Sequence, residues 1–589
     1  LKRVRGNAAA FCEPGTKGRR VVNILRVNLT KRTAFFEDVK PEYISLGGRG
    51  LTSTMISEEV DPACEPLGDK NKLIFAPGTM AGTVFPNNGR LSVGAKSPLT
   101  GAIKESNMGG TAGQTLAKMG IKALIVEGVA EAFVYLKITA DRVDFLPANG
   151  LQERGNYETI GILREKHGED VSILSIGQAG EKRMLASAIA GTTPDFFPRM
   201  AGRGGLGTVM GSKKLKAIVL DGAGGDGVEV ADPEGLKAAA KALAKGIMGH
   251  PLVPAFKGLG TAFLVNMINE LGALPTRNFS RGRLENAAKI SGEHMAELLA
   301  KRPNAQASHR CMPGCLLSCS NVYTNAAGKV VTSGLEYETL GLVGANCMID
   351  DLDIIAEIDH LCDDYGVDTI DVGDALAVAM EAGRLPWGDG KTALRWVREI
   401  GAGGENGALI GNGCRFTGES LGVKRVPVVK GQSIPSYDPR VLKGTGVTYA
   451  SSTMGADHTC GNALPSPANP DYDPGASTGQ GPVSQFLQAF FAAIDSLGMC
   501  LFASLPMLDM PDLQKDLIAA VSAKTGEELG DGFLMALGTR VMSVERRFNE
   551  AAGFTEADDR LPDFFYEEKL DTNGSVFDVP QEEIDAIYR

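Results

Sequence analysis

What this chain lacks narrows it before any motif is read. No apolar run approaches the roughly 18 residues that span a bilayer, so no membrane partner is expected. Positive charge is not in excess: 71 acidic residues outnumber 60 basic ones, for a net charge of −11. That balance argues against a general nucleic-acid binder and for simple solubility. Residues 1–20, LKRVRGNAAAFCEPGTKGRR, are basic without a long apolar stretch, so no secretory signal is expected. The chain does not open on Met, and a removed leader is compatible with that start. Histidine is scarce, with 6 in 589 residues, so one in a suggestive setting counts. A disulfide framework is absent too. The 10 cysteines are spread over a long chain, where a short secreted scaffold would crowd them. A reducing, cytoplasmic setting is the expectation.

What is there begins with glycine. The 74 glycines concentrate in GGRG (47–50), in the stretch from NNGR (87–90) to NMGGTAG (107–113), and in MAGRGGLGTVMGSKK (200–214). Between them lie short β-branched runs such as NKLIFAPG (71–78), KALIVEG (122–128), FVYLKIT (133–139), VSILSIG (171–177) and KAIVLDG (216–222). Each has strand length and is bounded by turn formers. The pattern turns helical at ADPEG (231–235), where Asp232 is placed as an N-cap and Pro233 at the first helical position. With 589 residues, one core is too few. The reading is an α+β chain: a β-rich cofactor-binding domain over 1–225, then two mainly helical domains over 226–430 and 431–589. No tandem repeat is evident, and the polar last forty or so residues are expected to wrap the surface.

One segment demands chemistry. HRCMPGCLLSCS (309–320) places Cys311, Cys315 and Cys319 four residues apart each time. On a continuous helix the outer two would stand about 12 Å apart along the axis, too far for one compact site. Pro313 and Gly314 make a loop the better reading. Three clustered thiols suit zinc or an iron–sulfur cluster, although buried cysteines also serve as small apolar residues. The spacing is not that of radical enzymes using S-adenosylmethionine.

A fourth ligand has to come from elsewhere, and Cys500 in DSLGMC (495–500) is the candidate. That stretch matches DDYGVD (363–368): both read Asp-x-x-Gly-aliphatic-(Cys or Asp), and both follow an apolar helical run. A paired motif at two helix ends suggests two equivalent ligands or two halves of one. An Asp accepts hydrogen bonds from a heterocycle, and glycine lets the backbone approach closely. Each motif alone would pass as a helix-end turn.

Taken together, these stretches resemble the aldehyde:ferredoxin oxidoreductase family of tungsten-pterin enzymes. The resemblance runs through GGRGL (47–51), GRLSVGAKSPLTGAIKESNMGG (89–110), AGRGGLGTVMGSKKLKAI (201–218), LEYETLGLVGANC (335–347), DDYGVDT (363–369), YDPR (437–440), GADH (455–458) and DSLGMC. It implies a tungsten-bispyranopterin (tungstopterin), a 4Fe–4S cluster held by Cys311, Cys315, Cys319 and Cys500, and Mg2+ between the pterin phosphates. One departure stands out. The family pattern is Cys-x-x-Cys-x-x-x-Cys, whereas here both gaps hold three residues, which sets Cys311 apart.

Carried over residue by residue, the resemblance gives Arg90 to a pterin phosphate, a fit for a guanidinium fork. Asn107 and Gly109 approach the pterin. Asn107 also serves the Mg2+ site, with backbone carbonyls near Met200 or Ala201. Asp363, Gly366 and Asp368 form one pterin motif; Asp495, Gly498 and Met499 form the other. For acid–base work the choices are Glu338 and His458, with Glu336 as the alternative carboxylate and Tyr337 between them. Glu357 and His360 form ExxH, two residues on one helix face. They are either ligands of a metal at a subunit interface or a solvated face.

The expected reaction is oxidation of an aldehyde to a carboxylic acid, with electrons passed to ferredoxin or a ferredoxin-like subunit in an oligomer or multi-subunit complex. Two alternatives stand beside it: a benzoyl-CoA-reductase-type catalytic subunit on the same scaffold, and a non-catalytic iron–sulfur or zinc subunit.

Overall fold

A computed structural model of the chain describes residues 22–466 and 469–589; Cys12 and the basic N-terminal stretch lie outside them. The fold is α+β, with a β-rich N-terminal part and mainly helical regions after it.

Twelve strands build the first part. β1 (Asn23–Asn28), β2 (Thr33–Asp38), β3 (Leu73–Pro77), β4 (Leu91–Lys96), β5 (Ile103–Met108) and β6 (Ile121–Glu127) form one sheet in the order β2-β1-β6-β3-β4-β5. β7 (Val134–Ile138), β8 (Val143–Pro147), β9 (Val171–Ser175), β10 (Ile189–Thr192), β11 (Pro198–Ala201) and β12 (Leu215–Asp221) form a second, in the order β8-β7-β12-β9-β10-β11. The two orders are the same. So are the pair directions: β1 runs parallel to β6 as β7 does to β12, and the other pairs are antiparallel. Even the local spacing recurs. Helix Ala112–Lys118 and strand β6 are matched by helix Leu206–Ser212 and strand β12, with equal lengths and equal gaps.

The N-terminal part is therefore a duplication, which corrects the expectation of no repeat. The signal was in IKALIVEG (121–128) and LKAIVLDG (215–222). Beyond that strand it is thin: Gly110 and Gly113 are matched by Gly204 and Gly207. The two edge strands β5 and β11 lie side by side. Asn107 and Ala201 occupy equivalent positions on them, each the same number of residues ahead of its helix.

Beyond residue 230 the helices start as their caps dictate. Helix Pro233–Gly249 begins at Asp232, whose carboxylate accepts the Gly235 N–H at 2.9 Å. The helices Leu352–Tyr365, Thr369–Glu381 and Gln480–Leu497 carry the apolar faces of the helical core. Residues 310–319 form a loop between strands β13 (Gln306–His309) and β14 (Ser320–Thr324), as Pro313 and Gly314 require. The C-terminal stretch runs mostly exposed or half-buried, as a surface wrap does, and is pinned by apolar anchors. Leu561, Phe564, Phe565, Phe577, Val579, Ile584 and Ile587 are buried in one apolar cluster, spaced widely enough that average polarity hid them. No single described helix is long and apolar enough to cross a membrane.

Candidate active site

The site lies where the duplicated sheets meet the helical part. A cavity of about 310 Å³ is lined by residues of both edge strands, among them Asn107, Arg199 and Met200. It is also lined by Arg90, Glu336, Glu338, Asp363, Asp368, His458, Asp495 and Cys500. Ala201 is buried in β11 beside it, and Gly109 follows β5.

The two Asp-x-x-Gly motifs end two helices in the same way. Gly366 (φ 71°) and Gly498 (φ 76°) are left-handed C-caps, a conformation that favours glycine. Val367 N–H reaches back to Cys362 O at 2.9 Å, and Met499 N–H to Ile494 O at 3.1 Å. Each end then docks on its own half of the duplication. The first pairs with the segment before β10: Ala188 N–H donates to Gly366 O (2.8 Å) and Asp368 N–H to Ala186 O (3.1 Å). The second pairs with the segment before β4: Met80 N–H donates to Leu497 O (3.1 Å) and Arg90 N–H to Gly498 O (3.2 Å). A Cβ on Gly78 would stand 2.1 Å from the Gly498 Cα, so the approach admits no side chain. Asp363 and Asp495, which open the motifs, are brought to opposite halves of one cavity.

Burial pushes Asp363 well above the usual carboxylate range, and the neighbouring Asp359 raises it further. Burial and Glu105 push Asp495 up to about 8, although the Arg49 guanidinium lies 3.5 Å away. Both aspartates are thus poised to donate a hydrogen bond or to meet a cationic or N–H-rich partner.

The thiols gather on one flank. Cys315, Cys319 and Cys500 share an apolar cluster, with the half-buried Cys311 packed against it. Burial pushes all four thiols up, and each feels the charge of at least one other of the set. Bound cationic metal would reverse that shift. Among the described residues no three His, Cys, Asp or Glu side chains converge on a single ion. A polynuclear cluster, in which separate metals each take one thiol, suits such spread sulfurs better than mononuclear zinc. Gly109 closes this flank: its N-side neighbour strand leads to Gly110, whose N–H donates to Cys311 O (2.9 Å).

Glu338 and His458, the residues expected to do acid–base work, line the same cavity. His458 Nε2 lies 3.6 Å from Glu338 Oε1, and Glu338 Oε2 accepts the Ser436 N–H at 2.8 Å. Glu338 Oε1 and His458 Nδ1 are buried atoms without a hydrogen-bond partner, so each has unspent capacity, and both residues line the cavity. Burial pushes the Glu338 carboxyl up, and His458 only partly offsets this. Glu336 is also raised by burial, but its carboxylate accepts the Thr261 hydroxyl (2.5 Å). It acts electrostatically on Cys311 and Cys319, on the other side. Tyr337 points away and donates to Ser436 O at 2.5 Å.

A tier of carboxylates lies behind the wall. Asp368, Asp371 and Asp374 recur on one face of helix Thr369–Glu381, and the last two are fully buried, each with one unpartnered oxygen. Burial and Asp368 push Asp371 up to about 7. A folded-state pKa above the unfolded value means that folding binds a proton. Stability present below pH 4 is then lost as pH rises through 7. Asp371→Asn is expected to raise thermal stability at pH 8 more than at pH 5, the two gains differing by up to about 3 kcal/mol. Equal melting shifts at both pH values would contradict this.

The remaining candidates are placed as follows. Asn107 Oδ1 accepts the Arg90 Nε–H, and Arg90 and Met200 line the cavity with it. Glu357 pairs with Arg398 at 3.2 Å on the exposed face, while the His360 ring stacks on Tyr157 at 4.6 Å. Each member of that ExxH pair thus has another partner. Sequence reading passed over four cavity cations: Arg49, Lys104, Arg199 and Arg203. Arg49 grips Glu545 with two 2.9 Å bonds, and Lys104 binds Asp457 at 2.9 Å. Arg203 reaches Asp368 at 3.4 Å. Arg49 and Arg203 both sit in Gly-Arg-Gly within quoted motifs, a signal that was available.

Known proteins are similar to this chain in sequence and fold. Residues 24–222 match the model described as aldehyde ferredoxin oxidoreductase, N-terminal domain, and residues 238–589 the model for its domains 2 & 3. The tungsten-containing aldehyde ferredoxin oxidoreductase of Thermococcus kodakarensis is 35% identical over 574 residues, covering 93% of this chain and 91% of that one. The aliphatic sulfonate oxidoreductase, WOR-like subunit, of Pyrococcus furiosus is 25% identical over 569 residues, covering 89% and 85%. The active site complex BamBC of benzoyl coenzyme A reductase superposes with a TM-score of 0.78 at 20% identity, covering 96% and 93%; that likeness is one of fold. The molecule is an oxidoreductase. More particularly, the chain belongs to the aldehyde ferredoxin oxidoreductase family.

Proposed function

We propose that this chain oxidises aldehydes to carboxylic acids, R–CHO + H2O giving R–COOH, two electrons and two protons. The proposed cofactors are a tungsten-bispyranopterin centre, a 4Fe–4S cluster and Mg2+. The observation that carries the reading is the Glu338–His458 pair, buried in one cavity with four thiols on its flank and a helix-end aspartate at either half. The residues fit the groups. Arg90 suits a phosphate, Asn107 and the carbonyls near Met200 and Ala201 suit Mg2+, and the paired motifs at Asp363 and Asp495 suit two halves of a bispterin. When bound, the tungsten centre accepts an electron pair and the cluster passes electrons on singly.

The chain's own part is to hold and move protons. Glu338, whose carboxyl burial pushes above its ordinary range, takes a proton from the attacking water or from the aldehyde-derived carbon. His458, 3.6 Å away, steadies the carboxylate electrostatically when it carries a proton. Ferredoxin or a ferredoxin-like subunit is the proposed acceptor, in a reducing cytoplasm where the thiols stay free. The sulfonate relative is named a subunit, which supports a multi-subunit assembly.

The test is aldehyde-driven reduction of methyl viologen by the purified protein, with the acid product counted. Two viologens reduced per acid formed are expected from the electron balance. A metal-loaded protein that leaves aldehydes untouched, yet binds an aromatic CoA ester tightly, would move the reading to ring reduction.

A further inference from the structure

One residue joins the cysteine loop to the distant Cys500. We propose that Asn87 tunes the reduction potential of the four-cysteine centre by donating its side-chain N–H to the Cys315 sulfur. The inference rests on the reading that these thiols hold an iron–sulfur cluster.

Asn87 is fully buried in the loop between β3 and β4 and adopts a left-handed conformation (φ 55°). Its Oδ1 accepts the Leu316 N–H at 3.1 Å. That bond fixes which end of the amide is which, so Nδ2 is the end that faces Cys315 Sγ, at 3.7 Å. The backbone is committed as well. Asn87 N–H donates to Gly314 O at 3.1 Å, and Asn87 O accepts the Cys500 N–H at 2.8 Å. A second donor, Ser318 N–H, reaches the same sulfur at 3.3 Å. The residue is therefore bonded to the three-cysteine loop on one side and to the fourth cysteine on the other.

The physics gives a sign. Gaining one electron makes the cluster more negative and its sulfurs better acceptors, so an N–H···S bond favours the reduced state. In a dry setting the effect is strengthened. Loss of the donor shifts the potential to more negative values, and the electron is then held less tightly on its way to the acceptor.

Two variants separate the side chain from the backbone, and both residue types tolerate the left-handed conformation. Asn87→Asp keeps an acceptor for Leu316 but loses the Nδ2 donor. Asn87→Gly is neutral, keeps both backbone bonds and loses the whole side chain. Iron content and the midpoint potential, from spin-resonance-monitored dithionite titration of the holoprotein, are the readouts. Expected are full iron and a negative shift in both variants. An unchanged or more positive potential in iron-replete Asn87→Gly overturns the tuning role. So does loss of iron in both variants, which would make Asn87 a scaffold residue. An iron-free parent protein would instead strike the underlying reading.

Discussion

Glu338→Gln is expected to lower kcat by about 10²- to 10⁴-fold, the usual worth of a positioned general base, while metal and pterin content stay at the parent level. Gln keeps the shape and still accepts the Ser436 N–H that holds Glu338 Oε2. What it cannot do is take a proton. The parent's activity should fall on the acid side with an apparent pKa above the ordinary carboxylate range, since burial raises Glu338. Below that pKa the base is protonated and idle; above it the base is free. The limb should vanish from the residual activity of the variant. Glu336→Gln is the companion, because Glu336 is engaged by Thr261 on the thiol flank. A larger loss there than at Glu338 would exchange the two roles.

Cys500→Ala is expected to abolish viologen-linked turnover and to strip most of the iron, while tungsten remains. The main chain of DSLGMC survives the change, so the Arg90–Gly498 bond and the Cys500 N–H to Asn87 O stay in place. The pterin side of the motif is untouched and only a sulfur is lost. A single stoichiometric oxidation of aldehyde should persist in the variant, since the electron pair has a place to go but no exit. Full iron with parent rates would remove Cys500 from the ligand set.

The sequence carried those features that local rules control. The three-cysteine loop followed from Pro313 and Gly314, the helix start from Asp232 and Pro233, and the matched helix ends from Asp-x-x-Gly. Contacts between distant segments were not legible. Nothing near Arg49 announces Glu545, and nothing near Lys104 announces Asp457, because each pair is assembled only when the helical part closes over the sheets. The choice between Glu336 and Glu338 depended on a short turn that sends alternate side chains to opposite flanks. The duplication was hidden for another reason. Similar residues persist in the buried strands β6 and β12 and in the glycine pairs Gly110/Gly204 and Gly113/Gly207, too few to stand out from the glycine-rich background.

On the proposed function, a thiol-bound cluster and a pterin-held metal share one cavity in this chain. Metal and pterin analysis of the purified, anaerobically prepared protein tests it most directly. About four irons per chain, together with tungsten and a pterin oxidation product, are expected. Zinc alone, or iron with neither tungsten nor pterin, would contradict it.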